Sequence, residues 1–247
     1  MSRIMKFPDD RLPGVAGLAK EFAARTGLTY MCGLWKENVV RGLGWNAYGT
    51  KSKMNLSTAP PSWSWACLSE LPSAMILKNS RLYYQGQCTP VDEPKLVEIS
   101  VVNENDDVFG QVKSARLTLT GKGQFVAHTS SPPAFSPSRL GMDVSTIYNS
   151  SISMEFQPDL VLCYLDEPPG LDGYTQKNLQ AGTIYFRLGR WASDHSRLNG
   201  LHPNGILHAL ILEPVDGENV YKRIGIAGVP DGAVNETEWE TSTVVIV

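Results

Sequence analysis

The chain has 247 residues, of which 42% are hydrophobic and 19% charged, and its net charge at pH 7 is −3. A chain of this length can bury a substantial hydrophobic core. Lys and Arg are scattered along the sequence rather than clustered, and its apolar runs are far shorter than the ~20 residues that span a bilayer. Neither nucleic acid nor a membrane is therefore an expected partner.

The cysteines lie at positions 32, 67, 88 and 163. Their spacing fits no zinc motif and no CxxC pair, so the sequence predicts no metal site. The first residues contain no apolar stretch of the kind that a secretory signal needs. We therefore expect a cytoplasmic protein with reduced thiols.

The first 45 residues have the apolar spacing of helices. Asp9 or Asp10 is placed to begin a first helix, and Gly27 is placed to end it. A second amphipathic stretch, at residues 31–45, is predicted to be another helix.

From Pro60 onward the hydrophobic period changes to two, which predicts β-strands. Turn signals separate these strands, and Gly121–Lys122–Gly123 is interpreted as a hairpin turn. The predicted strands cover residues 62–68, 81–86, 95–102, 111–120, 124–128, 160–165, 183–188, 206–212, 220–227 and 242–247.

Short connections between strands, with the helices grouped at the N-terminal end, indicate a mainly β (α+β) fold. The expected architecture is an antiparallel barrel or sandwich with two N-terminal helices packed at one end. We expect a single domain over residues 1–247, with a helical part at 1–58 and a β part at 59–247.

Residues 60–68, with the sequence PPSWSWACL, form the most informative segment of the chain. If the segment is a strand, Trp63 and Trp65 point to the same side of it. Each ring would then remove ~150–250 Å² from water, either inside a core or on the floor of a pocket. The core interpretation is favoured for both residues, and Trp65 is kept as a candidate for ligand contact.

Several motifs occur along the chain in an order that characterises a known family. They are DRLPGVAGLAKEF (10–22), YMCGLWKENVVRGLGW (30–45), APPSWSWACL (59–68), GILHALILEP (205–214), VYKRIGIAGV (220–229) and a terminal TVVIV. This succession resembles the region that follows the HET domain in fungal heterokaryon-incompatibility proteins, and it covers most of the chain. The HET domain itself, the part expected to trigger cell death, has no counterpart in this sequence. The resemblance implies the partner half of such a protein.

His128 and His195 are candidate catalytic residues, because one ends a predicted strand and the other lies in a loop after a strand. A histidine with a near-neutral pKa can transfer a proton or donate a hydrogen bond to a carbonyl. The alternative for His195 is a turn histidine bonded to the backbone. His208, in ILHAL, is expected to be an ordinary sheet residue. No Ser-His-Asp arrangement, Walker sequence or dinucleotide fingerprint is present, so no cofactor is expected.

Tyr164, Tyr185 and Arg187 are further catalytic candidates, because their predicted strands alternate polar and aromatic residues. If these side chains point into a barrel, they would line a cavity suited to a mostly apolar ligand. The alternative is that Tyr185 and Arg187 face solvent, and Arg223 is expected to be a structural surface residue. The candidate substrate-binding residues are Trp45, Trp65, Phe186 and Trp191.

Two functions remain open from the sequence. The first is a cofactor-independent cyclase or isomerase, of the pericyclase type, acting on an apolar oxygenated small molecule of fungal secondary metabolism. Such chemistry needs a shaped cavity and hydrogen bonds that polarise the substrate. The alternative is a non-enzymatic recognition or regulatory module of heterokaryon incompatibility, which would bind through a surface patch. The missing HET domain favours the enzyme, whose partner would be an apolar small molecule, and assembly into a homo-oligomer is left open.

Overall fold

The computed structural model describes residues 10–45, 60–67, 88–89, 93–125, 162–165, 181–191, 206–216, 218–230 and 236–247. The first element is a helix, α1 (Arg11–Thr26), which follows Asp10. It ends at Gly27, whose φ of 72° is left-handed and whose N–H donates to the Ala23 carbonyl at 2.8 Å. Both predicted ends of this helix are confirmed.

The prediction of a second helix at residues 31–45 is wrong for the first half of that stretch. It contains a hairpin of β1 (Tyr30–Met31) and β2 (Leu34–Trp35), a 3-10 turn at Lys36–Asn38 and one short helix, α2 (Val39–Gly42). The hairpin forms because both residues of its two-residue turn have positive φ, 48° at Cys32 and 89° at Gly33. A helix cannot continue through that reversal.

The segment with the tryptophans is also not the predicted strand. Its described part consists of turns followed by a 3-10 helix at Trp65–Cys67, and Leu68 lies outside the described residues. Ser64 produces this conformation, because its N–H donates to Pro61 O at 2.9 Å while its hydroxyl accepts from Ala66 N at 3.1 Å. Serine side chains that bond to nearby backbone compete with strand pairing in this way. The two tryptophans are consequently unequal, since Trp63 is fully buried and Trp65 only half-buried.

A closed β-barrel forms the body of the protein, which confirms the predicted fold class. Its strands are β3 (Cys88–Thr89), β4 (Lys95–Asn103), β5 (Val112–Phe125), β6 (Leu162–Leu165), β7 (Ile184–Trp191), β8 (Ile206–Pro214), β9 (Val220–Pro230) and β10 (Glu240–Ile246). Strands β5, β7, β8, β9 and β10 pair around a ring, and the β5–β7 pairing closes it. Within the ring β9 and β10 are parallel to each other and the other pairs are antiparallel. Strand β4 extends the sheet beyond β5, β3 pairs with β7, and β6 pairs with β9.

Most predicted strands occur with ends shifted by a few residues, but the hairpin turn at Gly121–Lys122–Gly123 is wrong. These residues lie within β5, which therefore joins two predicted strands into one, and the predicted strand at 81–86 lies outside the described residues. The glycines make room for a ring inside the barrel. A Cβ at Gly121 would lie 3.1 Å from Phe186 Cζ, and a Cβ at Gly123 would lie 3.7 Å from Phe186 Cδ2.

The interior of the barrel is filled by apolar side chains. Register pairs place Phe186 opposite Leu210 and Leu210 opposite Ile226, so these three residues lie on one face. All three are fully buried in a single core cluster, and each contributes roughly 1.5–3 kcal/mol through burial. The N-terminal segment adds Leu12, Val39, Leu43 and Trp63 to that cluster. The N-terminal segment therefore packs against the barrel and shares its core.

Candidate functional site

Arg223 is the centre of the joint between the N-terminal segment and the barrel. Its guanidinium donates to Leu43 O at 2.7 Å and to Trp45 O, and it lies over the Trp45 ring, 3.4 Å from the centre. The side chain is fully buried on β9, which corrects the expectation of a surface residue. A buried cation is tolerable here because carbonyl oxygens and an aromatic face surround it.

The serines and tryptophans of residues 60–67 extend this joint. Ser62 Oγ donates to Val247 O and accepts from Arg223 N at 2.9 Å, so it holds the end of β10 against β9. Ser64 Oγ donates to Cys32 O at 2.6 Å. The indole of Trp65 donates to Gly33 O at 2.9 Å. Ser62 thus bonds the end of the chain, and Ser64 and Trp65 bond the turn of the β1–β2 hairpin. The buried indole N–H of Trp63 has no hydrogen-bond partner among the described residues.

Two more long-range hydrogen bonds complete the joint. Trp45 Nε1 donates to Trp63 O at 2.9 Å, and Arg11 Nη1 donates to Ala66 O at 3.2 Å. Trp45 and Trp63 are buried, and Arg11 is 3% exposed. Five of the six motifs that carry the HET-type resemblance therefore meet in one structural joint, the exception being the motif at 205–214. Trp45 and Trp65 were predicted to bind substrate, and their indole N–H groups bond backbone carbonyls within this joint.

Two of the candidate catalytic residues can be placed on the barrel wall. Tyr185 and Arg187 flank Phe186 in β7 and hence lie on the outer face, away from the core row of Phe186. Tyr164 of β6 pairs with Ile226 of β9 in the backbone register. A cavity lined by Tyr164 together with Tyr185 and Arg187 stays a prediction.

Tyr185 and Arg187 are nevertheless buried, which overturns the alternative that they face solvent. Their exposed fractions are 8% and 1%, and Arg187 lies over the Trp239 ring at 4.8 Å from its centre. On the adjacent strand β8, Glu213 is also buried, and its carboxylate forms an ion pair with Lys222 Nζ at 2.9 Å. The wall of the barrel formed by β7 and β8 is therefore covered on both faces, with charged groups on its outer face.

The remaining candidates are only partly placed. His128 and His195 lie outside the described residues. Trp191 lies at the end of β7, opposite Cys88 and Ile206 in the register. Phe186 is a fully buried core residue.

Burial sets the protonation of three groups. It lowers the pKa of His208 to about 3, so this residue of β8 is neutral near pH 7. Burial likewise raises the pKa of the Cys32 thiol to about 12. The pKa of Tyr30 also rises to about 12, chiefly through burial and further through the nearby Cys32. None of the three is poised for proton transfer near neutrality.

Within the described ranges, no group of three or more His, Cys, Asp or Glu side chains is arranged to hold a metal ion. In the same part of the chain no helix is both long and apolar enough to cross a membrane.

Four aromatic rings form a run that reaches the surface at Phe22, and the sequence patterns did not identify it; Tyr30 within the run is buried, whereas Trp35 and Phe109 are partly exposed. Phe22 of α1 contacts Trp35 at 4.9 Å between ring centres, Trp35 contacts Tyr30 at 5.5 Å, and Tyr30 stacks on Phe109 at 5.1 Å. Exposed aliphatic residues lie at both ends of the run. We call this set the aromatic strip, and it consists of Leu18, Phe22, Tyr30, Trp35, Val108 and Phe109.

The strip presents apolar side chains that the described residues leave exposed at both of its ends. Leu18 is 76% exposed, Val108 56% and Phe22 45%. The helical spacing of Leu18 and Phe22 suggested core positions, but the buried residues of α1 are Arg11, Leu12 and Ala19. Large exposed side chains that continue one another across three elements are characteristic of interaction surfaces.

No protein-family model matches the chain. No curated protein and no solved structure shows a significant similarity to it either. The resemblance to the region that follows the HET domain therefore rests on the sequence motifs alone.

Proposed function

We propose that this protein is a non-enzymatic recognition module of the heterokaryon-incompatibility type, which binds a partner protein through the aromatic strip. The observation that carries the proposal is the exposure of Leu18, Phe22 and Val108 beside a continuous run of rings. Covering such side chains favours association by about 25 cal/mol for each Å² removed from water.

The placement of the candidate catalytic residues supports recognition over the cyclase or isomerase that the sequence first suggested. Such an enzyme needs its polar groups to converge on one cavity. Tyr185 and Arg187 lie on the outer face of β7, and core side chains fill the described interior of the barrel. No observation on the described residues favours the enzyme specifically.

The motif resemblance suggests which partner to expect. In the family that these motifs resemble, the corresponding region follows a HET domain. A chain with this region would then recognise a protein that carries one. The joint around Arg223 supports this role indirectly, because its hydrogen bonds hold Leu43 on the barrel and join α1 and the β1–β2 hairpin to residues 60–67.

Co-expression with HET-domain proteins in a fungal host tests the proposal. The tagged chain should retain a HET-domain protein, identified by mass spectrometry, in a defined ratio. The variant Leu18→Glu should lose it, because a carboxylate would be desolvated in the interface. Leu18 makes few contacts in its own fold, so this variant should unfold at the same temperature as the parent.

The matched control is Val97→Glu, which places the same charge on a 60% exposed apolar residue of β4. It should bind the HET-domain protein like the parent. The proposal fails if no HET-domain protein is retained, or if Leu18→Glu and Val97→Glu retain it equally. Turnover of an apolar metabolite by the purified chain would instead establish the enzyme.

A further inference from the structure

We infer that the partner segment which covers the aromatic strip is basic as well as apolar, with arginine beside its apolar side chains. The inference rests on the proposed function and names the chemistry of the partner that this surface takes. Two observations carry it. Carboxylates without an ion pair lie at one end of the strip, and the charges along the rest of the strip cancel one another.

The turn between β4 and β5 joins acidic residues to the strip. Glu104 N donates to Gln111 O at 2.9 Å, so the backbone itself closes this turn. Inside the turn, Asp107 Oδ1 accepts a hydrogen bond from Phe109 N at 3.1 Å. The ring of Phe109 stacks on Tyr30 of the hairpin, at 5.1 Å between ring centres. The turn and its carboxylates are therefore held next to the strip.

The carboxylates of this turn carry charge that the described residues leave without an ion pair. Glu104, Asp106 and Asp107 are exposed, and none of them forms an ion pair with another described residue. Lys113, the described cation nearest to them in sequence, lies beyond the turn on β5 and forms no ion pair with them. Negative charge thus lies directly beside the exposed apolar side chain of Val108.

The charges on α1 do not offset these carboxylates. Glu21 forms an ion pair with Arg25 at 2.6 Å, so the two together add no net charge. Lys20 is two positions from both Leu18 and Phe22, which places it on the opposite side of the helix. The helical end of the strip is therefore close to neutral.

The β1–β2 hairpin adds no net charge either. Lys36 and Glu37 follow Trp35 directly and are both exposed, so their opposite charges cancel near the middle of the strip. The Glu37 carboxylate also accepts hydrogen bonds from Thr29 N at 3.0 and 3.1 Å, which keeps it on the hairpin. The net charge along the strip consequently comes from the turn between β4 and β5, and it is negative.

A basic and apolar segment complements this combination. Its apolar side chains would cover Leu18, Phe22 and Val108, while its cations meet the carboxylates of the turn. Arginine suits the site better than lysine, because a guanidinium can lie on an aromatic face and donate two hydrogen bonds to one carboxylate. Trp35 and Phe109 supply partly exposed rings for that contact. An acidic segment would place like charges against each other at this end.

Selection from a phage-displayed library of random peptides tests the inference with the full chain. Peptides are selected on the parent and then depleted on Leu18→Glu, so that the remaining peptides bind through the strip. We expect them to combine apolar residues with arginine, with arginine enriched and aspartate and glutamate depleted relative to the library. A parent that yields no Leu18-dependent peptide, or yields peptides without an excess of arginine, overturns the inference.

Charge reversal on the turn tests the electrostatic part directly. The variant Glu104→Lys with Asp106→Lys should bind the selected peptides about tenfold more weakly at low salt, and added salt should reduce that difference. Asp107 is kept, because its carboxylate holds the turn. The matched control, Glu218→Lys with Glu240→Lys, makes the same change of charge at exposed positions before β9 and at the start of β10. It should bind the peptides like the parent.

Peptides with glutamate in place of arginine complete the exchange. They should bind the chain with the reversed turn more tightly than they bind the parent, because opposite charges meet again. A variant that had merely lost its fold would bind neither form of the peptide. If the reversed chain does not prefer the glutamate form, or if the control loses as much binding as the reversed chain, the inference is overturned.

The failures of the two proposals are distinguishable. A chain that retains a HET-domain protein through Leu18, but selects peptides without an excess of arginine, overturns the basic character of the partner segment alone. A chain that selects basic peptides through Leu18, but retains no HET-domain protein, leaves this inference standing and removes the proposed function.

Discussion

The guanidinium carbon of Arg223 lies 3.4 Å from the centre of the Trp45 ring, although 178 residues separate the two in sequence. Two backbone carbonyls, of Leu43 and Trp45, accept its hydrogen bonds. A cation fully removed from water is stable only when such partners compensate its lost hydration. This pair therefore fixes the position of the N-terminal segment on the barrel.

Replacing Arg223 by methionine should destabilise the protein strongly. The change removes the charge and leaves two buried carbonyls without their donors, which we expect to cost about 3–5 kcal/mol in the free energy of unfolding. Arg223→Lys should recover only part of this loss, because an ammonium cannot reproduce the planar fork of donors. Urea unfolding measures both variants.

The control for Arg223 is Arg116→Met, since Arg116 is exposed on β5. That change should alter the free energy of unfolding by less than about 0.5 kcal/mol. An Arg223→Met protein as stable as the Arg116→Met protein would show that the joint contributes little.

The glycines at 17 and 121 should respond to alanine with opposite signs. A Cβ at Gly121 would lie 2.9 Å from Pro94 Cβ and 3.1 Å from Phe186 Cζ, so Gly121→Ala should destabilise the barrel by roughly 1–3 kcal/mol. A Cβ at Gly17 meets nothing within 4 Å on exposed helix α1. Gly17→Ala should therefore stabilise the protein by up to ~1 kcal/mol.

Thermal and urea unfolding of both alanine variants measure this contrast. A neutral Gly121→Ala would mean that the Phe186 ring and Pro94 can move aside without cost. The assignment of Gly121–Lys122–Gly123 to the interior of β5 would then lose its physical reason.

The sequence predicted the strands of the barrel well because they depend on local alternation. Strand β8 is apolar from Ile206 to Leu212 except at His208, and its position follows from that run. The same reasoning gave a wrong prediction for Gly121–Lys122–Gly123, because the sequence does not distinguish a glycine in a hairpin turn from a glycine under an aromatic ring. The pairing of β5 with β10, which includes all three residues, and with β7, which includes Gly123, distinguishes them.

The candidate site was harder to predict for a related reason. Period-two alternation correctly placed Tyr185 and Arg187 on one face of β7, but it cannot say which face lies inside a barrel. The aromatic strip was missed because its rings come from α1, the β1–β2 hairpin and the turn after β4. No local pattern joins residues so far apart in sequence. The helical spacing of Leu18 and Phe22 even pointed the other way, because it is the spacing of core positions.

Cys32 should resist alkylation in the folded protein. Burial raises the pKa of its thiol to about 12, so the reactive thiolate hardly forms near neutral pH. The residue is also only 1% exposed, so the reagent cannot reach the sulfur. Peptide mass spectrometry after iodoacetamide treatment should find Cys32 modified only once urea unfolds the chain. Modification of Cys32 in the native protein, at the rate of a free thiol, would contradict its burial.

His208 should make the stability of the protein decrease as the pH falls below about 6.5. Its pKa is about 3 in the fold against 6.5 in the unfolded chain, because burial penalises the imidazolium. Above pH 6.5 both states hold the neutral ring, so this residue contributes no pH dependence there. Between the two values the unfolded state binds one more proton, and the free energy of unfolding drops by about 1.4 kcal/mol for each pH unit. The variant His208→Gln cannot take up that proton. Its free energy of unfolding, measured by urea unfolding, should therefore decline less steeply between pH 6 and pH 4 than that of the parent. The carboxylates that titrate in this range affect both proteins alike. Equal slopes for the two proteins would mean that the ring is protonated in the fold, and that the burial of β8 at this position does not exclude the charge.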